Sequence, residues 1–261
     1  MSQPIFLFAA SWRTGSTLLQ RMLNASDNVF MWGEPNFLSN LRKMYEQTSV
    51  DFEKQMFSRK NLAKHATGAW IPRILPSEPY LQRGFRAFFD ETFGEEVAIF
   101  GKKRWGIKEV RQDAVKNALF LQSLYPEAKF LFLVRDPFKM YKSVKAKPFH
   151  KNFKDPFKPV QVWKTNTQDF INEDLIKDLN CMLVTYEELI QDTLLISRIF
   201  NFLDLHITEK VILELETKVD SSGIKAELDR AEIEKIYRLT KPLLRHFNYV
   251  KPQISAISEK N

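Results

Sequence analysis

Residues 11–17 bring together the residue types that bind phosphate or sulfate. Their sequence, Ser-Trp-Arg-Thr-Gly-Ser-Thr, combines small and hydroxyl residues with one cation, Arg13. The apolar run 5–9 before them predicts a buried strand, and leucines after them recur at helical spacing. A loop from a strand into a helix presents free backbone N–H groups and the positive end of the helix dipole. The segment therefore predicts an anion-binding loop, although an ordinary strand-to-helix turn has the same pattern.

The spacing of this loop differs from that of a nucleotide-hydrolysing P-loop. When Gly15 is aligned with the second glycine of G-x-x-x-x-G-K-[ST], Ala10 falls at the first glycine and Ser16 at the lysine. Thr17 retains the hydroxyl that follows the lysine, and the cation lies instead two residues before the glycine, at Arg13. This arrangement disfavours ATP hydrolysis and kinase chemistry.

A second candidate anion site follows the apolar run 129–134. Arg135 comes directly after this run, Asp136 and Pro137 begin a helical pattern, and Ser143 lies eight residues after the arginine. A guanidinium at the end of a strand can bind a phosphate through two hydrogen bonds. Taken alone, the pattern favours an arginine–aspartate ion pair beside a solvent-exposed serine over an anion site.

Composition limits the class of protein. The chain has 261 residues, enough for a substantial core, and no apolar run long enough to span a membrane. Its single cysteine, Cys181, rules out an intramolecular disulfide and indicates a reducing compartment, so we expect a cytoplasmic protein. The net charge of +7 suits an acidic partner, but no nucleic-acid-binding module is present, so nucleic acid is not expected. The sequence leaves the oligomeric state open.

Strand and helix patterns alternate along the chain. Strands are predicted at 5–9, 104–108, 129–134 and 182–185, and helices at 114–124, 137–146, 160–172, 187–203, 209–218 and 231–247. Asp113 and Asp136 stand at helix starts as candidate N-caps. The alternation is typical of an α/β domain with a central parallel sheet flanked by helices.

Two segments interrupt the alternation and are candidate substrate-binding loops. Residues 36–96 form a long insertion with a predicted helix at 78–93, and residues 148–159 are rich in proline, phenylalanine and lysine. Long irregular segments of a compact domain are commonly lids or binding loops. We therefore predict a substrate or lid insertion at 36–96 and a substrate loop at 148–159.

The two anion-site segments together resemble the family of sulfotransferases that use 3′-phosphoadenosine 5′-phosphosulfate (PAPS). The first resembles the family's 5′-phosphosulfate loop, [RK]-[ST]-G-[ST]-[ST], and the second its 3′-phosphate motif, a strand followed by R-D-P and a later serine. Segments 105–108, 184–189 and 219–223 are also similar, so the resemblance spans nearly the whole chain. It is closest to tyrosylprotein and bacterial carbohydrate sulfotransferases, and implies one P-loop-like domain over residues 1–261.

The resemblance implies that PAPS is the sulfuryl donor and that no metal is required. The implied donor-binding residues are Arg13, Thr14, Gly15, Ser16, Thr17, Arg135, Ser143, Tyr186, Ser222 and Lys225. The residues of the first loop would bind the phosphosulfate, and Arg135 and Ser143 the ribose 3′-phosphate. Tyr186 would meet the adenine, and Ser222 and Lys225 belong to a loop that would close over the 3′-phosphate.

The same resemblance implies three catalytic residues, Glu34, Arg13 and Lys108. Glu34 lies in a Trp-Gly-Glu-Pro segment similar to that of the family's glutamate bases, and would take the proton of the acceptor hydroxyl. Arg13 and Lys108 would stabilise the bridging oxygen of the leaving group. Lys108 fits a surface ion pair with its neighbour Glu109 as well, and the other candidate bases are His65 and His150.

The sequence thus predicts an enzyme that moves a sulfuryl group from PAPS to a hydroxyl by in-line displacement. The acceptor stays open between a carbohydrate, a lipid-linked sugar and a small metabolite. Two alternatives are a P-loop nucleotide kinase and a catalytically silent nucleotide-binding protein of the same fold. The silent protein predicts nucleotide binding without transfer.

Overall fold

The structure, a computed structural model, describes residues 3–53, 76, 78–216 and 226–253. In these residues a central sheet of five parallel strands has the order β2-β3-β1-β4-β5. The strands are β1 (Ile5–Ala9), β2 (Val29–Trp32), β3 (Arg104–Glu109), β4 (Lys129–Val134) and β5 (Cys181–Thr185). The predicted α/β fold is confirmed. The sequence missed only β2, which at four residues is too short for its pattern to be distinctive.

Helices flank this sheet along the described part of the chain. They are α1 (Ser16–Ala25), α2 (Leu38–Glu53), α3 (Glu78–Phe89), α4 (Ala114–Leu124), α5 (Pro137–Lys145), α6 (Lys158–Phe170), α7 (Glu173–Ile176), α8 (Tyr186–Leu189), α9 (Thr193–Phe202), α10 (Glu209–Glu216) and α11 (Arg230–His246). A π-helical turn (Asp90–Gly94) and a 3₁₀ helix (Glu95–Phe100) follow α3, and a second 3₁₀ helix covers Pro148–Asn152. None of the described helices is long and apolar enough to cross a bilayer.

The structure differs from the sequence predictions at two helices and one N-cap. The predicted helix 187–203 is two helices, because the Asp192 carboxylate accepts a hydrogen bond from the Leu194 N–H and starts a new helix there. Helix α2 lies inside the segment 36–96, where no helix was predicted before residue 78. Asp136 caps α5 as expected, whereas Asp113 occupies the N-cap position of α4 without capping it, since its carboxylate pairs with Arg42.

Both faces of the sheet are buried under apolar layers. Phe6 of β1 stacks on Phe130 of β4 on one face, with ring centroids 5.3 Å apart, while Leu7 and Leu131 pack on the other face. Alternate residues of a strand point to opposite faces, so a strand covered on both sides is apolar throughout. This explains the uninterrupted apolar runs that identified β1 and β4 in the sequence.

The strand order creates a crevice at the carboxyl edge of the sheet. The chain places β2 and β3 on one side of β1 and then crosses to place β4 and β5 on the other. The connections after β1 and β4 therefore leave in opposite directions, and ligands of open α/β sheets bind at such a reversal point. The predicted anion loop follows β1, and Arg135 follows β4, so both segments border this crevice.

Helix α6 fixes two of the loops at this edge. Asn166 is fully buried, and its Nδ2 donates to the carbonyl oxygens of Ala10, at 3.1 Å, and Arg111, at 2.8 Å. Ala10 begins the loop after β1, and Arg111 lies in the loop after β3. One amide side chain thus ties together the backbones of two separate loops.

We expect Asn166→Ala to lower the free energy of unfolding by about 2–3 kcal/mol, because it removes the donor from the carbonyl groups of Ala10 and Arg111. Chemical denaturation followed by circular dichroism measures the loss. Thr165→Ala is the matched control, since Thr165 is exposed on the same helix and should change the stability by less than about 0.5 kcal/mol. Equal losses in the two variants would contradict the role assigned to Asn166.

Candidate active site

A cleft of about 620 Å³ lies at the carboxyl edge of the sheet. Seven of the predicted donor-binding residues line it: Arg13, Gly15, Ser16, Thr17, Arg135, Ser143 and Tyr186. Thr14 is buried instead, and its hydroxyl donates to the carbonyl oxygen of Ser11 at 2.9 Å, so its side chain shapes the loop from inside. Ser222, Lys225 and the alternative base His65 lie outside the described residues.

Gly15 is required by the geometry of the loop. Its φ of 94° is in the left-handed region, and a Cβ at this position would come within 2.0 Å of Cδ2 of Tyr186. The Tyr186 ring therefore packs directly on the loop. Gly15 is also the N-cap residue of α1 and has no side chain to cap it. The first-turn residues Ser16 and Thr17 line the cleft, and the free N–H groups of such a helix start favour an anion.

The two segments that the sequence identified separately are in direct contact. The Nε of Arg13 donates to Oγ of Ser143 at 3.1 Å, across 130 residues of chain. In the opposite direction, Nη1 of Arg135 donates to the carbonyl oxygen of Arg13 at 3.0 Å. Each segment thus holds a residue of the other, and both guanidinium groups line the same cleft.

Two cations in one cleft repel each other. The pKa of Arg13 is lowered, first by burial of the guanidinium and then by the positive charge of Arg135. The Nε of Arg135 is buried and has no hydrogen-bond partner among the described residues. The guanidinium of Arg135 lies over the Tyr186 ring, 4.3 Å from its centroid. An anion between the two arginines would offset the repulsion and could accept the unused N–H of Arg135.

The backbone around Arg135 is held by surrounding elements. The indole Nε1 of Trp163, on α6, donates to the carbonyl oxygen of Arg135 at 2.8 Å. The next residue, Asp136, accepts hydrogen bonds from two N–H groups at the start of α5, and its own N–H donates to the carboxylate of Glu187. Burial raises the pKa of Asp136, and the two backbone hydrogen bonds oppose that shift. These contacts fix the direction in which Arg135 leaves the strand.

Glu34 and Lys108 form an ion pair at the same edge of the sheet. Oε1 of Glu34 lies 3.0 Å from Nζ of Lys108, and the lysine is buried while the glutamate is 28% exposed and lines the cleft. The alternative pairing of Lys108 with Glu109 is therefore wrong. The adjacent strands β2 and β3 bring the two residues together, because Glu34 follows β2 and Lys108 lies near the end of β3.

Arg111 is a cleft residue that the sequence reading missed. Its Nη2 lies 3.6 Å from Oε2 of Glu34, and its Nη1 lies 2.7 Å from Oε1 of Glu109. Glu109 is buried, and burial raises the pKa of its carboxyl group against the hydrogen bonds that it accepts from the following backbone and from Arg111. The signal in the sequence was a cation two residues beyond the end of a strand. In a parallel sheet, residues at this position lie at the carboxyl edge, where ligands bind.

The segment 148–159 contributes an aromatic wall. Phe149 and Phe153 line the cleft, and the Phe153 ring meets the Trp12 ring edge-on, with centroids 5.1 Å apart. His150 lies edge-on against Tyr141 and is not among the residues lining the cleft. Burial raises the pKa of Tyr141 to about 12.

The described part of segment 36–96 borders a different cavity. An apolar groove of about 480 Å³ lies between α2 and α3, lined by side chains that include Leu41, Met44 and Phe85. None of the described residues of 36–96 lines the cleft that holds the arginines. No cluster of three or more metal-ligating side chains occurs in the described part of the chain.

A known protein family matches most of the sequence. The profile of a family described as "Sulfotransferase family" matches residues 4–209, which is more than half of the chain. No curated protein sequence matches the chain closely enough to count as a relative.

Three solved structures share the fold. The "Sulfotransferase Domain from the Curacin Biosynthetic Pathway" is 18% identical, with a TM-score of 0.58 over 96% of this chain and 99% of that one. The "Sulfotransferase Domain from the Synechococcus PCC 7002 Olefin Synthase" is 17% identical, with a TM-score of 0.53 over 97% and 98%. A sulfotransferase from Alicyclobacillus acidocaldarius is 15% identical, with a TM-score of 0.50 over 96% and 98%. At these identities the likeness concerns the fold.

We expect Gly15→Ala to lower the free energy of unfolding by about 2 kcal/mol or more, because it forces a Cβ into a positive-φ position and against Tyr186. Denaturant unfolding measures the change. The control is Gly84→Ala on α3, where a Cβ would meet nothing within 4 Å, and which should raise the stability by about 0.5–1 kcal/mol through helix propensity. Changes of the same sign in both variants would contradict the packing argument.

Proposed function

Because this chain belongs to the sulfotransferase family, we propose that it transfers a sulfuryl group from PAPS to a hydroxyl group of an acceptor. The proposed acceptor is a carbohydrate, a lipid-linked sugar or another small metabolite. The observation that carries the proposal is the mutual contact of the two anion-site segments, in which Arg13 donates to Ser143 and Arg135 to the backbone of Arg13. A donor with anionic groups at two separate points suits this paired arrangement.

The residues present in the cleft fit such a donor. In the proposal, Arg13 and the N–H groups of the α1 start bind the phosphosulfate, and Arg135 binds the 3′-phosphate together with Ser143. The buried, unpartnered Nε of Arg135 supports this assignment, because it is a donor that lacks an acceptor within the described chain. Tyr186 is proposed to contact the adenine, and Ser222 and Lys225 to cover the 3′-phosphate.

The proposed reaction needs a base for the acceptor hydroxyl and a cation for the leaving phosphate oxygen. The donor supplies an activated S–O bond between its sulfuryl group and its 5′-phosphate. Glu34 takes the proton of the acceptor hydroxyl as the new O–S bond forms. Arg13 and Lys108 stabilise the negative charge that develops on the phosphate oxygen when the old S–O bond breaks. No proton or electron pair is left over in this scheme.

The ion pair between Lys108 and Glu34 couples these two events. With Nζ of Lys108 3.0 Å from Glu34, the lysine charge is partly offset by the carboxylate before the reaction. A proton arriving on Glu34 removes that negative charge, and the lysine charge then acts fully on the leaving oxygen. In the proposal, the base Glu34 and the cation Lys108 therefore act together.

We expect Arg135→Ala to weaken the binding of adenosine 3′,5′-bisphosphate by about 1.5–3 kcal/mol, the scale of charge-assisted hydrogen bonds. Calorimetric titration measures it, with AMP as the comparison ligand. The wild type should prefer the bisphosphate over AMP, and the variant should lose most of that preference. The control is Arg198→Ala, which removes an arginine that is paired with Asp192 at the surface. Unchanged affinity in Arg135→Ala would remove this residue from the 3′-phosphate site.

We expect Glu34→Gln to reduce turnover by about 100-fold or more, the range of general-base catalysis, while the bisphosphate still binds. Transfer from radiolabelled PAPS to a screened acceptor gives the rate, and calorimetry gives the affinity. Glu95→Gln, at an exposed position, is the charge-matched control. If Glu34→Gln keeps its turnover, His150 and His65 become the candidate bases. A wild type that binds the bisphosphate but transfers to no acceptor would instead support the catalytically silent protein.

A further inference from the structure

We propose that Arg111 is a positioning residue that holds Glu34 in place while Lys108 serves the leaving group. This inference rests on the proposed function. The two carboxylate oxygens of Glu34 are divided between two cations: Oε1 lies 3.0 Å from Lys108, and Oε2 lies 3.6 Å from Arg111. Lys108 is needed elsewhere during the reaction, so Arg111 is the contact that can persist throughout.

Arg111 is itself firmly anchored. Oε1 of the buried Glu109 accepts from the Arg111 side chain at 2.7 Å and from the backbone N–H groups of Val110 and Arg111 at 2.8 and 3.1 Å. The carbonyl oxygen of Arg111 is held at the same time by Asn166. A guanidinium fixed at one end in this way loses little conformational freedom when it holds a second carboxylate.

The arrangement gives alternating charges along one edge of the sheet. Glu109, Arg111, Glu34 and Lys108 follow one another as ion-pair partners. Glu109 and Lys108, at the two ends of this row, are buried, while Arg111 and Glu34 between them line the cleft. If Lys108 alone held Glu34, any movement of the lysine toward the leaving oxygen would release the base. With Arg111 in place, the carboxylate keeps one charged contact in every step, and a base displaced by about 1 Å can cost about 100-fold in rate.

A double-mutant cycle tests this role through the rate of sulfuryl transfer. We expect Arg111→Gln to lower kcat by about 30- to 100-fold, with the KM for PAPS and for the acceptor unchanged within about twofold. In the Glu34→Gln background the same substitution should cause no further loss, because Arg111 acts through Glu34. Arg111→Lys should recover only part of the rate, since an ammonium cannot bridge two carboxylates as a planar guanidinium does.

Stability and bisphosphate affinity are measured on each variant, with Arg198→Gln as the surface control. If Arg111→Gln fails to fold, Glu109→Gln is the second variant. Its amide oxygen still accepts from the backbone N–H groups, while the negative charge that anchors Arg111 is gone. We expect Glu109→Gln to lower kcat as well. Three results would overturn the inference. They are losses in kcat that multiply when Arg111→Gln is combined with Glu34→Gln, an Arg111→Gln variant that keeps the wild-type kcat, and an effect confined to a raised KM for the acceptor. A wild type without transfer activity would overturn the proposed function as well.

Discussion

The site depends on holding two positive charges together inside a cleft. Arg13 and Arg135 lie on neighbouring loops, and the charge of Arg135 together with burial lowers the pKa of Arg13. Their approach is stabilised by hydrogen bonds that use uncharged partners, the Ser143 hydroxyl and the Arg13 carbonyl. The remaining repulsion between the two guanidinium groups is a cost that an anion bound between them would offset. In the proposed function the fold supplies the rigidity, and the donor supplies the missing negative charge.

That rigidity comes from helix α6, whose buried face packs behind this edge of the sheet. Helix α6 reaches three strand ends through its side chains, with Asn166 bonded to the carbonyls of Ala10 and Arg111, and Trp163 bonded to that of Arg135. Loops at the end of a sheet are otherwise free to move independently. A polar side chain that satisfies the carbonyls of several loops makes them one body, and the distances among their cations then follow from the fold.

The sequence predicted what is encoded locally and missed what depends on distant partners. The loop around Gly15 and the Arg135–Ser143 segment were recognisable because strand, turn and helix start follow one another in each. Arg111 was not, because its significance comes from Glu34, which is remote in sequence and reaches it only through the pairing of β2 with β3. Asp113 shows the opposite error, since a tertiary contact with Arg42 takes the carboxylate away from its own helix.

Because β1 lies at the centre of the sheet, the charged residues at this edge fall into two groups. Arg13 and Arg135 follow β1 and β4, whereas Glu34, Lys108 and Arg111 belong to the β2–β3 side. In the proposed function, residues on the β2–β3 side can therefore change with the acceptor while Arg13 and Arg135 continue to bind the same donor.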